Sequence, residues 1–206
     1  PYWTYDANTF TRYSGSYGID RVVTDTDTDD EGNTTTTARI ETDWYPKSGA
    51  VSVPFDDVVV CASKSLPHDL IDKLEPWGLE DLRPFDPAFL SGFLTERKAI
   101  ELRDGYTLAQ EKMDPEIHTA ICRDLGGDRQ RVHSKSVAYS DIMFKHFLCP
   151  VWMSSFRYND TVYRFAVNGR TGELSGERPY SVAKLAAAVL TGLAILGSVA
   201  YILSQQ

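Results

Sequence analysis

The run Leu185–Leu203, LAAAVLTGLAILGSVAYIL, constrains this chain more than any other stretch. It holds nineteen residues without a charge, in a chain that is 24% charged. At about 1.5 Å per residue a helix of that length measures roughly 28 Å, close to the hydrocarbon thickness of a bilayer. A helix buried in a globular domain usually keeps a polar stripe. Here the polar groups, Thr191, Ser198 and Tyr201, are uncharged and scattered. Hydropathy therefore predicts a transmembrane tail anchor over 182–206.

Flanking residues give the anchor a direction. Arg170, Arg178 and Lys184 precede the run and nothing basic follows it. A positive-inside bias then places the preceding domain in the cytoplasm, with the bacterial inner membrane as the location. Arg178, Tyr180, Lys184 and Tyr201 are the expected membrane-flanking residues. Ala187 with Thr191, Ala188 with Gly192, and Ala194 with Ser198 are small residues four apart, the pattern of a helix-packing face. The partners this predicts are the lipid bilayer and an integral membrane protein.

The charge balance narrows the function classes. The net charge is −8, and residues 1–60 hold eleven acidic and four basic groups (4 − 11 = −7), so the excess is concentrated there. Such a domain is a poor electrostatic match for nucleic acid. Three cysteines, Cys61, Cys122 and Cys149, are far apart and form no CxxC pair, the usage of buried thiols in a reducing compartment.

Along the chain the pattern predicts an α+β domain over 1–181. Antiparallel β hairpins are expected over about 1–60 and 129–176, with a helical insertion over about 66–125. Residues 1–18 are rich in Tyr, Trp, Thr and Phe, which suit a half-buried pleated surface. The segment TDTDTDDEGNTTTT puts Asp25, Asp27, Asp29, Asp30 and Glu31 before Gly32 and Asn33. Counted from Asp25, an EF-hand would need Gly at Asp30 and Glu at Thr36, so the stretch reads as an acidic hairpin tip. A first helical stretch follows Ser65, with Leu70, Ile71 and Leu74 on one face. Leu79, Leu82, Phe85, Phe89 and Leu90 have the look of buried residues in a proline-punctuated connection. A longer helix is expected from Arg103 to Leu125, with Pro115 kinking or restarting it and Gly126-Gly127 ending it. Asn159-Asp160 and Asn168-Gly169 read as tight turns between strands.

The chemistry-bearing residues are sparse. Of the four histidines, His133 and His146 lie near Asp141, Ser134 and Ser140 in sequence, the best constellation for a hydrolase or metal site. No GxSxG elbow or HExxH pair accompanies them. Gly169–Arg178 lacks the Lys-Ser/Thr of a phosphate-binding loop. No small-molecule substrate is indicated.

Six strings, taken together, resemble a family. They are PYWTYDA (Pro1–Ala7), WYPKSGAVSVPFDDVVVCASKSLP (Trp44–Pro67), LEPWGLEDLRPFDPAFLSGF (Leu74–Phe93), DLGGDRQRVHS (Asp124–Ser134), FKHFLCPVW (Phe144–Trp152) and YRFAVNGRTGELSGERPYS (Tyr163–Ser181). In this order they are similar to the C-terminal part of bacterial membrane proteins that carry TFIIB-type zinc ribbons, often labelled as primosomal protein N′ or replication-factor-Y-like helicases. The resemblance implies CxxC zinc ribbons ahead of PYWTYDA and a hydrophobic span after GERPYS. This chain carries the second and not the first, so zinc is assigned to none of its residues and no other cofactor is expected. The chain also lacks a Walker A motif, so the helicase label gains nothing from it.

The combined expectation is a non-enzymatic, single-pass, tail-anchored membrane protein. Its cytoplasmic domain would serve as a structural or accessory subunit, or docking module, of a larger bacterial membrane complex. The alternative is a membrane-tethered hydrolase or metal-dependent enzyme using His133, Asp141 and His146.

Overall fold

The computed structural model describes residues 1–28, 34–64, 67–179 and 191. Two strands dominate it: β1 over Tyr2–Thr28 and β2 over Thr34–Cys61. After β2 come a one-turn helix, α1 (His68–Ile71), continued by a 3₁₀ turn at Asp72–Leu74, and two further 3₁₀ turns at Leu79–Asp81 and Pro87–Leu90. The one long helix among the described residues, α2, spans Leu102–Leu125. It leads into β3 (Arg129–Phe147), β4 (Val151–Tyr158), β5 (Thr161–Asn168) and β6 (Leu174–Gly176). The strands form two antiparallel sheets, β2-β1-β3 and β4-β5-β6. The chain divides into two compact units, Pro1–Leu66 with Gly78–Leu148, and Pro67–Trp77 with Cys149–Gln206.

The β2-β1-β3 sheet is built on one alternation. Trp3, Tyr5, Ala7, Thr9, Thr11 and Tyr13 fall on one face of β1 and are all buried. Val60, Phe55 and Val53 lie opposite them on β2, and Val137 and Tyr139 on β3. Onto this face packs α2, through Gly105, Ala109, Met113, Ile117, Ile121 and Leu125. These buried positions recur every four residues, so the stripe advances about 40° per step on a helix of 3.6 residues per turn. A stripe that winds in this way follows a twisted sheet along its length. Its fully buried row is one residue wide, flanked by the partly buried Leu102, Tyr106, Leu108 and Ala120, which leaves Arg103, Asp104, Glu111, Lys112, Glu116 and Arg123 around the rest of the helix. Pro115 sits inside α2 on an exposed side, where its missing donor faces no apolar packing.

Side chains lock the helix to the sheet at both ends. Trp3 Nε1 donates to the Ile100 carbonyl (2.9 Å) and the Tyr5 hydroxyl to the Leu102 carbonyl (2.8 Å). Gly105 is required beneath them, since a Cβ there would lie 2.5 Å from the Tyr5 hydroxyl. At the far end the buried Tyr13 hydroxyl donates to Asp124, and Lys47 donates to the Asp124 carbonyl. Burial, reinforced by that carboxylate, pushes the Tyr13 phenol up to about 12. The Tyr13 hydrogen bond holds Asp124 below its ordinary range, and Lys47 adds to the effect. A depressed carboxylate stabilises the fold above its unfolded pKa, about 3.9, and loses that contribution as pH falls through the lower folded value. Asp124→Asn is therefore expected to flatten the decline of thermal stability below about pH 4, read by circular dichroism melts across that window. A decline as steep as that of the parent chain would show that Asp124 does not act this way.

Beyond Gly18 the β1–β2 pair continues alone as a two-stranded ribbon, from the pair Ile19 and Asp43 to the pair Thr28 and Thr34. One ribbon face is an ionic ladder: Arg21 reaches Glu41 (3.1 Å) and Asp43 (3.2 Å), and Arg39 reaches Asp25 (3.0 Å) and Glu41 (2.9 Å). The other face pairs Val22 directly with Ile40, both exposed. Residues 29–33, which carry the rest of the acidic tip, lie outside the described residues.

Several expectations need correction. An α+β domain with a helical insertion is not what the described residues form. Strands predominate, and the insertion contributes one long helix. The prolines and glycines between Pro67 and Phe93 hold that stretch in single turns. Leu82, Phe85 and Phe89, read as buried, are exposed. Among the described residues no helix is long and apolar enough to cross a membrane, because α2 is charged around a narrow stripe. The tail-anchored, inner-membrane assignment therefore finds no spanning helix among the described residues. Apart from Thr191, the run Leu185–Leu203 lies outside the described residues, and with it Ala187, Ala188, Gly192, Ala194 and Ser198. Tyr180, Lys184 and Tyr201 lie outside them as well. Pro46, Gly49 and Pro54 all lie within a continuous β2, because an edge strand accepts prolines whose missing donors face away from the ladder.

Candidate functional site

The histidine constellation is not assembled. His133, Asp141 and His146 all lie on β3, eight and five residues apart. At about 3.3 Å per residue that places them roughly 26 Å and 16 Å from one another along the strand. Each has a local role instead. His133 Nε2 hydrogen-bonds with the Ser16 hydroxyl (2.9 Å). Asp141 accepts from Asn8 (3.0 Å) and Ser140 (3.2 Å). His146 lies against Trp3 with ring centroids 4.6 Å apart, and burial, with Lys98 nearby, lowers its pKa. The Cys149 thiol is pushed by burial up to about 12, which keeps it protonated and unreactive at neutral pH.

What sequence reasoning missed is an acidic cluster at paired bulges. Where β1 passes from Tyr5 to Asn8, both neighbouring strands carry extra residues. Asp56 and Asp57 of β2 face Asp6, and Asp141 and Ile142 of β3 face Ala7. Asp57 and Asp141 both take positive φ, 54° and 52°, a conformation aspartate tolerates better than most residues. The bulge gathers Asp6, Asp56 and Asp57, whose nearest oxygens all lie within 4.8 Å of one another. The donor set is already partly engaged. Asp57 Oδ1 accepts from Lys145 (3.1 Å) and from the Thr4 hydroxyl (3.1 Å), and Asp6 Oδ1 accepts from the Asp57 amide (2.9 Å). The carboxylates raise the Lys145 pKa, Asp57 foremost, so the ammonium stays charged and takes the place a cation would fill. A hard divalent ion would have to displace it, so these residues fit a metal poorly.

The β4-β5-β6 sheet offers a different kind of site. Trp152, Phe156 and Tyr158 of β4 stand opposite Val167, Tyr163 and Thr161 of β5, with Phe165 between and Leu174 of β6 beyond. Direct partners share a face, so five aromatic rings lie on one side of this small sheet. Asn159 and Asp160 make the connecting turn with φ of 45° and 59°, the primed turn that suits strand twist. Gly176 leaves room for Phe165, whose Cβ would lie 2.7 Å from a Cβ added there. Phe156 stacks on Tyr163 at 5.4 Å.

The two faces of this sheet differ most at its β6 end. On one side Ala166, Asn168 and Ser175 are buried, with α1 and its 3₁₀ turn packed against β5 and β6. On the other, Trp152 is 64% exposed, Leu174 62%, Tyr158 53% and Phe156 43%. The aromatic residues Trp152, Phe156 and Tyr158, spaced by even numbers, were readable in the sequence. Which face would be covered was not, because the covering residues come from Leu70, Ile71 and Leu74, about eighty residues earlier.

Comparison with known proteins gives one informative relative. Over 148 residues, 71% of this chain, the sequence is 30% identical to the Bacillus subtilis (strain 168) protein named "Uncharacterized protein YdjG". The chain spans 43% of that relative's length. No family model matches, so the resemblance to zinc-ribbon proteins has no family match behind it. No solved structure matches.

Proposed function

We propose that this chain is a non-enzymatic docking module, a structural or accessory subunit that holds a protein partner on the aromatic face of β4-β5-β6. The observation that carries the reading is the contrast between the two faces of that sheet. One face is covered by α1 and its 3₁₀ turn at Ala166, Asn168 and Ser175, leaving Met153 and Val162 exposed on that face, while the other presents Trp152, Phe156, Tyr158 and Leu174 to solvent along its length. Exposed apolar surface of this kind costs solubility and is retained where a partner covers it. Aromatic rings suit the task, since each buries a large area while few torsions are immobilised.

The test is a photocrosslinking residue placed at Trp152 or at Tyr158, compared with one at Arg12 on the polar sheet face of the other unit. Protein adducts are expected from the first two positions and not from the third. Phe156→Ser should weaken the captured complex by about 30-fold, the effect of removing one aromatic anchor worth ~2 kcal/mol, without shifting the melting temperature by more than a few degrees. Equal adducts from Arg12, or none from the aromatic positions, would end the docking reading.

A further inference from the structure

The β2-β1-β3 sheet has two edges, and they are not alike. The β2 edge is blunted by Pro46 and Pro54 and by the bulge at Asp56-Asp57. Prolines, bulges and inward charges are the ordinary means of keeping an edge from pairing. The β3 edge has neither proline nor glycine across its nineteen residues. Its pairing with β1 is irregular only at His133 and at Asp141-Ile142. Between them Ser134–Ser140 is a regular seven-residue stretch, with its outward amides and carbonyls aligned along the sheet edge.

That stretch reads Ser-Lys-Ser-Val-Ala-Tyr-Ser, small and large residues alternating symmetrically about Val137. On the face turned from α2 stand Ser134, Ser136, Ala138 and Ser140, all exposed and all short. The irregularities are symmetric too, with His133 one step before the stretch and Asp141 one step after it.

We propose that β3 pairs with the β3 of a second copy of this chain, antiparallel about a two-fold axis at Val137, to give one continuous six-stranded sheet. In that register Ser134 faces the second copy's Ser140, Lys135 its Tyr139, and Ser136 its Ala138. His133 comes opposite the second copy's Asp141 at each end, an opposite-charge cross-strand pair once the imidazole is protonated. The strand's cations do not oppose the union, because each is engaged within its own chain. Arg129 is on Asp20 (3.0 Å), Lys145 on Asp57 (3.1 Å), Lys135 on Asp114, and Arg131 lies 3.8 Å over the Trp44 ring. The bulges end the pairing on both sides, so it stops at a closed dimer and does not extend into a fibre. The contact is isologous, and both α2 helices lie on the same side of the joined sheet.

Sedimentation velocity on the whole chain tests this. The mass is expected to rise from one chain to two with concentration. Ser136→Lys combined with Ala138→Lys sets lysine against lysine on both sides of the axis. That pair should move the midpoint at least tenfold higher in concentration, with an unchanged far-ultraviolet circular dichroism spectrum. Ser136→Lys combined with Ala138→Glu sets lysine against glutamate and should restore the parent midpoint. Should the lysine variant misfold, Val137→Cys decides: oxidation is expected to give a covalent dimer mapped to position 137. A chain that stays monomeric throughout, a dimer indifferent to the lysine pair, or no cross-link at position 137 would overturn the proposal.

Discussion

Ile117→Ala is expected to lower the melting temperature of the α2-bearing unit by about 10 °C. Ile117 is fully buried at the middle of the helix stripe, between Met113 and Ile121, which are equally closed to solvent. Removing three carbons from such a site costs the lost transfer energy and the cavity left behind, ~3 kcal/mol within an observed range of about 2–5. A unit of this size shifts by roughly 3 °C per kcal/mol. The change is placed here because Ile117 stands in the row of α2 side chains that is fully buried, away from the partly buried Leu102, Tyr106 and Leu108 of the first turns. Thermal unfolding followed at 222 nm, where α2 dominates the signal, measures it directly. A shift under about 3 °C would mean that α2 is held by its end contacts, Tyr5 to Leu102 and Tyr13 to Asp124, and not by its stripe.

Asn168→Ala is expected to unfold the β4-β5-β6 unit at least as severely. Asn168 is fully buried at the end of β5 and uses both ends of its amide. Its Nδ2 donates to the carbonyls of Leu74 (2.9 Å) and Pro76 (3.3 Å), while its Oδ1 accepts from the amides of Arg170 (2.9 Å) and Thr171 (3.2 Å). Alanine leaves backbone groups without their partners in a buried place, at about 1–3 kcal/mol for each one that water does not reach. The same change frees the turn into β6 and detaches the 3₁₀ turn that closes the buried face. The expected result is loss of protection from hydrogen exchange in β5 and β6, with α2 and β1 unaffected. Retained protection in β5 would show that the apolar contacts of Leu70, Ile71 and Leu74 suffice. Asn168→Asp keeps the acceptor and loses the donors, so it should fall between the parent chain and alanine.

How much of this was legible beforehand depended on whether the signal was local. The spacing of Ile117, Ile121 and Leu125, the Gly126-Gly127 stop and the Asn159-Asp160 turn carry their structure within a few residues, and all three are present in the chain. Strand length was not local. Pro46 and Pro54 look like breaks until β2 is known to be an edge, and edge position is a property of the whole sheet. The bulge residues Asp57 and Asp141 look like any surface aspartates, because a positive φ leaves no mark on the neighbouring sequence. The separation of His133, Asp141 and His146 follows at once from strand rise, but only after Arg129–Phe147 is recognised as one strand. As for the candidate surface, the aromatic residues of β4 were visible, and their exposure depended on which face α1 would cover.

The ribbon formed by Ile19–Thr28 and Thr34–Asp43 leaves the core at Gly18, opposite Trp44 and Arg129, and is tied back to it by Asp20, whose carboxylate meets Arg129 (3.0 Å) and whose amide donates to the Asp128 carboxylate (2.9 Å). Its alternation has period two, so adding or removing two residues from each strand keeps the ionic ladder on one side and the Val22–Ile40 pair on the other. A change of one residue per strand beside the core would carry every side chain beyond it to the opposite side. The reach of this arm can therefore change by about 7 Å at a time without reversing its faces. A change in the arm's length by even steps thus leaves unaltered which side carries charge and which carries apolar side chains.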